Sequence, residues 1–88
     1  MSGIVNEWKE KAIQALSGML EDMSSADRAM VQALINKIRN LTPMPTAEDF
    51  ADLLFMLMQT SDRIPKLKEL YRDATQFAKY YFLGVREE

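Results

Sequence analysis

Thr46–Thr60, TAEDFADLLFMLMQT, is the stretch on which the fold of this chain turns. Thr46 with Asp49 three positions on has the form of a capping box, with Asp in place of the usual Glu or Gln. Behind it runs Leu53-Leu54-Phe55-Met56-Leu57-Met58, which is too continuously apolar for an ordinary surface helix. Projected at roughly 100° per residue, Ala47, Phe50, Ala51, Leu53, Leu54, Phe55, Leu57 and Met58 span about 200° of the circumference. One packing contact uses about half of that. The remainder needs other helices of the same chain, a second copy of it, or a partner. Met56 projects instead into the polar arc of Glu48, Asp49, Asp52 and Gln59. A helical interaction module is the expectation, with this helix as its best-buried member and Met56 pointing outward.

The same punctuation continues on both sides. Ser61 and Asp62 are read as closing this helix and beginning a fourth, with Pro65 in its first turn, where a missing amide does no harm. Leu67, Leu70, Tyr71, Ala74, Phe77, Ala78, Tyr81 and Val85 make the buried stripe of that fourth helix, and Gly84 suits a left-handed stop. Upstream, Pro43 and Pro45 in LTPMPT end a second helix that begins at the Ser24-Ser25 cap and runs to about Leu41, burying Met30, Val31, Leu34, Ile38 and Leu41. A first helix covers about Gly3 to Met23, with Ile4, Val5, Trp8, Ala12, Ala15, Leu16, Met19 and Met23 on one face and Ile13 and Leu20 at its edge. Four helices on short connections predict an all-α fold: a compact antiparallel four-helix bundle over a single domain, residues 1–88.

Composition adds a reason to expect dimerisation. A chain of 88 residues buries only about 60 to 65% of its unfolded surface. There is no cysteine for a disulfide, and with no histidine either, structural zinc is not expected. Self-association is the remaining common supplement, so a homo-oligomer is expected. The apolar runs are far short of the ~20 residues that span a bilayer, and Glu7 and Glu10 interrupt any secretion-signal pattern. A cytoplasmic protein without membrane attachment follows. A formal charge of −2 gives no bulk attraction to nucleic acid.

No reaction is legible. Without histidine and cysteine the commonest general base and the thiolate nucleophile are missing, and no glycine-rich loop is present to cradle a phosphate. Glu48, Asp49 and Asp52 resemble an oxygen-ligand set, but Glu48 and Asp49 occupy a first helical turn, where the dipole favours acids. No enzyme, no metal and no cofactor are expected.

Two surface features bear on binding. Phe55 and Met56, with Met44 nearby in sequence, form a candidate apolar pairing patch, and Arg72, Tyr80 and Leu83 combine guanidinium, aromatic and apolar groups in the manner of a hot spot. In addition, Lys68, Arg72, Lys79 and Arg86 project within about 40° of one another, a basic ridge of roughly 27 Å if the helix continues that far. Glu69 and Asp73 lie on the next face, so such a ridge serves either as a solvated face or as a track for phosphates.

TAEDFADLL resembles the first helix of a phage-repressor helix-turn-helix, with Ala51 at the small-residue position. The resemblance stops after those nine residues: Phe55 stands where the turn wants a small residue, and Met56-Leu57-Met58 continues as helix. SSADRAMVQALINKI is similar to the helices that trail bacterial and phage DNA-binding domains. LTPMPT resembles the proline-containing turn of secretion needle proteins, and the size resembles that of bacteriocin immunity bundles. None of these patterns assigns a family. The leading expectation is a non-enzymatic regulator, inhibitor or adaptor, self-associating, that covers a surface on a larger protein. The second is a nucleic-acid-binding module using the basic ridge.

Overall fold

The computed structural model describes residues 3–85, and the fold is all-α. Its helices are α1 (Ile4–Met19), α2 (Ser25–Arg39), α3 (Ala47–Arg63) and α4 (Lys68–Leu83), with short 3-10 turns at Leu20–Asp22 and Pro65–Leu67. No strand occurs among the described residues. The chain divides into two compact units, Met1–Pro45 and Thr46–Glu88, at the proline-containing segment. Each unit holds two helices joined through one 3-10 turn.

In the first unit, α1 buries Val5, Trp8, Ala12 and Leu16, and α2 buries Val31, Leu34, Ile35 and Ile38. Both sets recur at the three- and four-residue spacing of one helical face. Ile4 and Ala15, expected on that face of α1, are exposed, and Met30 is half-buried, while Ile35 joins the core of α2. The Ser24 hydroxyl caps α2 by accepting the amide of Asp27 at 3.2 Å. The first helix does not run evenly to Met23; it tightens at Leu20. Arg28 holds that turn, donating from Nε to the Leu20 carbonyl and from Nη2 to the Met23 carbonyl, each at 3.1 Å. The Leu20 carbonyl also accepts the Met23 amide at 3.3 Å, so Arg28 adds a second donor there and satisfies the Met23 carbonyl just past the turn. Lys9 donates to the carbonyl of Leu41, placing the start of α1 beside the end of α2.

In the second unit, α3 starts on a reciprocal capping box: the Asp49 amide donates to Thr46 Oγ1 at 3.0 Å, and the Thr46 amide donates to Asp49 Oδ2 at 3.2 Å. The helix then passes through Ser61 and Asp62 to Arg63, instead of stopping there to begin a fourth. The reason is local. Thr60 Oγ1 donates to the Met56 carbonyl and Ser61 Oγ to the Met58 carbonyl, each at 2.8 Å, so the Ser61 hydroxyl is satisfied inside the helix it was expected to end. Pro65 accordingly heads the 3-10 turn, and α4 starts at Lys68. Gly84 ends α4 at φ 70, a left-handed conformation that suits glycine, and its amide donates to the Tyr80 carbonyl at 3.0 Å. Val85, expected in the buried stripe, lies past this stop and is exposed.

Four aromatic rings tie the pair together. Phe50 meets Phe77 and Phe82 with ring centroids 5.9 Å apart in each case, and Tyr81 stacks on Phe77 at 5.9 Å and meets Phe82 edge-on at 4.8 Å. The start of α3 therefore lies beside the end of α4, and the two helices run in opposite directions.

Candidate docking surface

Only part of the wide apolar face of α3 is used. Phe50, Leu53 and Leu57 are buried with Thr60 and Ser61, and Leu54 is half-buried. Ala47, Ala51, Phe55 and Met58 remain exposed, Phe55 at 57% and Met58 at 38%. α3 has more buried residues than α1, α2 or α4, as expected of it, but its packing uses one side of the face and leaves the other. Ala47, Ala51, Leu54, Phe55 and Met58 recur at i, i+4, i+7, i+8 and i+11, the pattern of a second amphipathic stripe.

That stripe borders a seam between α3 and α4. At one end a groove of about 270 Å³ opens between Ala47, Ala51 and Leu54 of α3 and Ala78, Phe82 and Leu83 of α4. At the other end a groove of about 440 Å³ lies between Met58 and Asp62 of α3 and Lys68, Tyr71 and Arg72 of α4. Thr75 and Lys79 line both, so the two are segments of one seam. From Ala47 to Asp62 it follows α3 for roughly 22 Å at 1.5 Å per residue. The alanines keep it open, because Ala47, Ala51 and Ala78 place a methyl where a larger side chain would fill the space. Thr75 turns its hydroxyl back onto the Tyr71 carbonyl at 2.9 Å, which leaves its methyl for the seam.

The seam is apolar at the end of α4 and cationic towards its start. Lys68, Arg72 and Lys79 all line the second groove, as their shared projection predicts. Arg72 Nη1 meets Glu69 Oε1 at 2.7 Å, but both side chains are well exposed, and such a pair contributes about 1 kcal/mol or less. Arg86, the fourth cation of the expected ridge, lies outside the described residues.

The other expected binding residues separate. Met56 is half-buried instead of outward, about 100° around α3 from Phe55, so the two do not form one patch. Met44 is exposed but belongs to the first unit. Leu83 is 72% exposed and borders the apolar end of the seam, whereas Tyr80, 37% exposed, lines neither groove. Arg72 and Leu83 thus share one surface at opposite ends, and Tyr80 stands apart from it. Ala47, Ala51, Leu54, Ala78 and Phe82 were not singled out as binding residues from sequence. The signal that could have found them is the four-three-one-three spacing of the second stripe and the alanines beside it. Of the acids that suggested a metal set, Asp49 is committed to the cap of α3.

Among the described residues, no helix is long and apolar enough to cross a membrane. Comparison with protein-family models, with curated proteins and with solved structures gives no match.

Proposed function

We propose that this protein is a non-enzymatic interaction module, a small regulator, inhibitor or adaptor that covers a surface on a larger protein and also self-associates, with the α3–α4 seam as its docking surface. One observation carries the reading: a second apolar stripe on α3, including Phe55 and Met58, stays in contact with water beside an open groove. Helix-in-groove recognition uses this combination, in which apolar anchors at helical spacing bury against a partner and charged rims set orientation. A compact antiparallel four-helix bundle completed by dimerisation belongs to the same proposal; the short connections between consecutive helices support the antiparallel arrangement. A cytoplasmic site of action is supported by the cysteine-free sequence.

The test is affinity capture with the wild type and with a Met58→Ser, Leu83→Ser variant, followed by identification and purification of the captured protein. Direct titration then decides. The wild type is expected to bind at least tenfold more tightly than the variant while both melt alike by circular dichroism. Equal binding would contradict the proposal.

A nucleic-acid-binding reading has one supporting observation, the convergence of Lys68, Arg72 and Lys79 on one groove. It is the weaker reading, because Asp62 lines the same groove and would face the phosphates.

A further inference from the structure

We infer that the occupant of the α3–α4 seam is a second copy of this chain, paired about a two-fold axis so that the acidic edge of each α3 lies on the basic rim of its partner's α4. The inference rests on the reading of the seam as a docking surface and adds what fills it. An occupant must present an apolar helical stripe, to enter a trough walled by Ala51, Leu54, Ala78 and Phe82, and must carry acids to meet Lys68, Arg72 and Lys79. α3 itself has that description. Its exposed stripe is bordered, on the side turned away from α4, by Glu48 and Asp52, both exposed.

The surface is therefore complementary to itself: apolar in the middle, acidic along the α3 edge and basic along the α4 edge. A two-fold operation makes any contact between the acidic edge of one copy and the basic edge of the other occur twice. Glu48 and Asp52 lie one turn apart at the start of α3, roughly 6 Å along it, and Lys79, which lines both grooves, is the cation of the α4 edge nearest that end; Asp62 lies instead in the groove of the basic rim. The alanines of the trough let two helices approach to the usual 8–10 Å between axes, about the distance at which side chains of an apolar stripe interdigitate. A phosphate backbone matches the basic rim alone and leaves the apolar half of the seam uncovered.

The test uses full-length chains in which one edge at a time is reversed: Glu48→Lys with Asp52→Lys, and Lys68→Glu with Lys79→Glu. Mass is followed by light scattering across a concentration series at low and high salt. The wild type is expected to dimerise at micromolar to tens of micromolar concentration, more weakly at high salt. Each reversed variant should dimerise at least tenfold more weakly, and an equimolar mixture of the two should recover the wild-type mass, because the exchanged charges then face one another at one contact and the native charges at the other. A wild type that stays monomeric, reversed variants that dimerise as it does, or a mixture that fails to recover would each overturn the inference. If a doubly reversed chain melts early, Asp52→Lys and Lys79→Glu alone, mixed in the same way, supply the same comparison. A monomeric wild type leaves the docking reading to the Met58 and Leu83 titration, so the two failures are distinct.

Discussion

Leu53, Leu54 and Phe55 are consecutive, all large and apolar, and they meet three environments: buried, half-buried and exposed. Helical geometry separates their directions by about 100° per residue, so only one of the three can face the centre of the packing. Leu53→Ala should then destabilise the protein by ~2–5 kcal/mol, the range for a buried leucine. Leu54→Ala should cost visibly less than that, and Phe55→Ser should stay within about 0.5 kcal/mol of the wild type. Urea denaturation of the three variants checks the order. The width of this face was legible in the sequence. Which part of it packs was not, because that depends on where α4 lies and no residue of α3 encodes it. Met56 was misplaced for the same reason, its polar neighbours being a guide to average exposure and not to its own contacts.

α3 also shows why element boundaries are harder to read than elements. Its start was legible, because Thr46 and Asp49 can satisfy each other's amides only by forming the box that the structure contains. Thr46→Ala should therefore cost about 1 kcal/mol, within the usual 0.5–2 kcal/mol for a lost cap. Its end was not legible. Ser61 and Asp62 are cap-forming residue types, and the same hydroxyl that caps a following helix can bond back to its own. Ser61→Ala separates the alternatives: with Oγ bonded to the Met58 carbonyl, the variant should be neutral or slightly more stable, because alanine has the higher helix propensity. A loss of about 1 kcal/mol, as for a removed N-cap, would place the serine at a helix start. The same thermal unfolding series reads both variants.

For the whole molecule, the all-α class and the four helices were legible because apolar spacing, serine and threonine caps, and the prolines of LTPMPT agree with one another. The candidate surface was legible only in outline. The excess of apolar helix announced that something stays uncovered, and the basic ridge announced one rim, but the seam depends on which alanines of α3 and α4 face each other. Binding to nucleic acid provides a contrast at this scale: anisotropy titrations with duplex and single-stranded DNA at low salt should show no saturable binding, whereas a steep fall of affinity with salt would support the ridge as a phosphate track.

The central claim is that the face bearing Met58 and Leu83 is where this protein meets its partner, and hydroxyl-radical footprinting tests it most directly. The chain is oxidised once in dilute solution and once saturated with its partner, whether a second copy or the captured protein. Met58 and Leu83 are predicted to lose most of their reactivity on saturation, while Tyr80, 37% exposed in the same unit and lining neither groove, keeps its own. Unchanged oxidation of Met58 and Leu83 in the saturated complex would contradict the account.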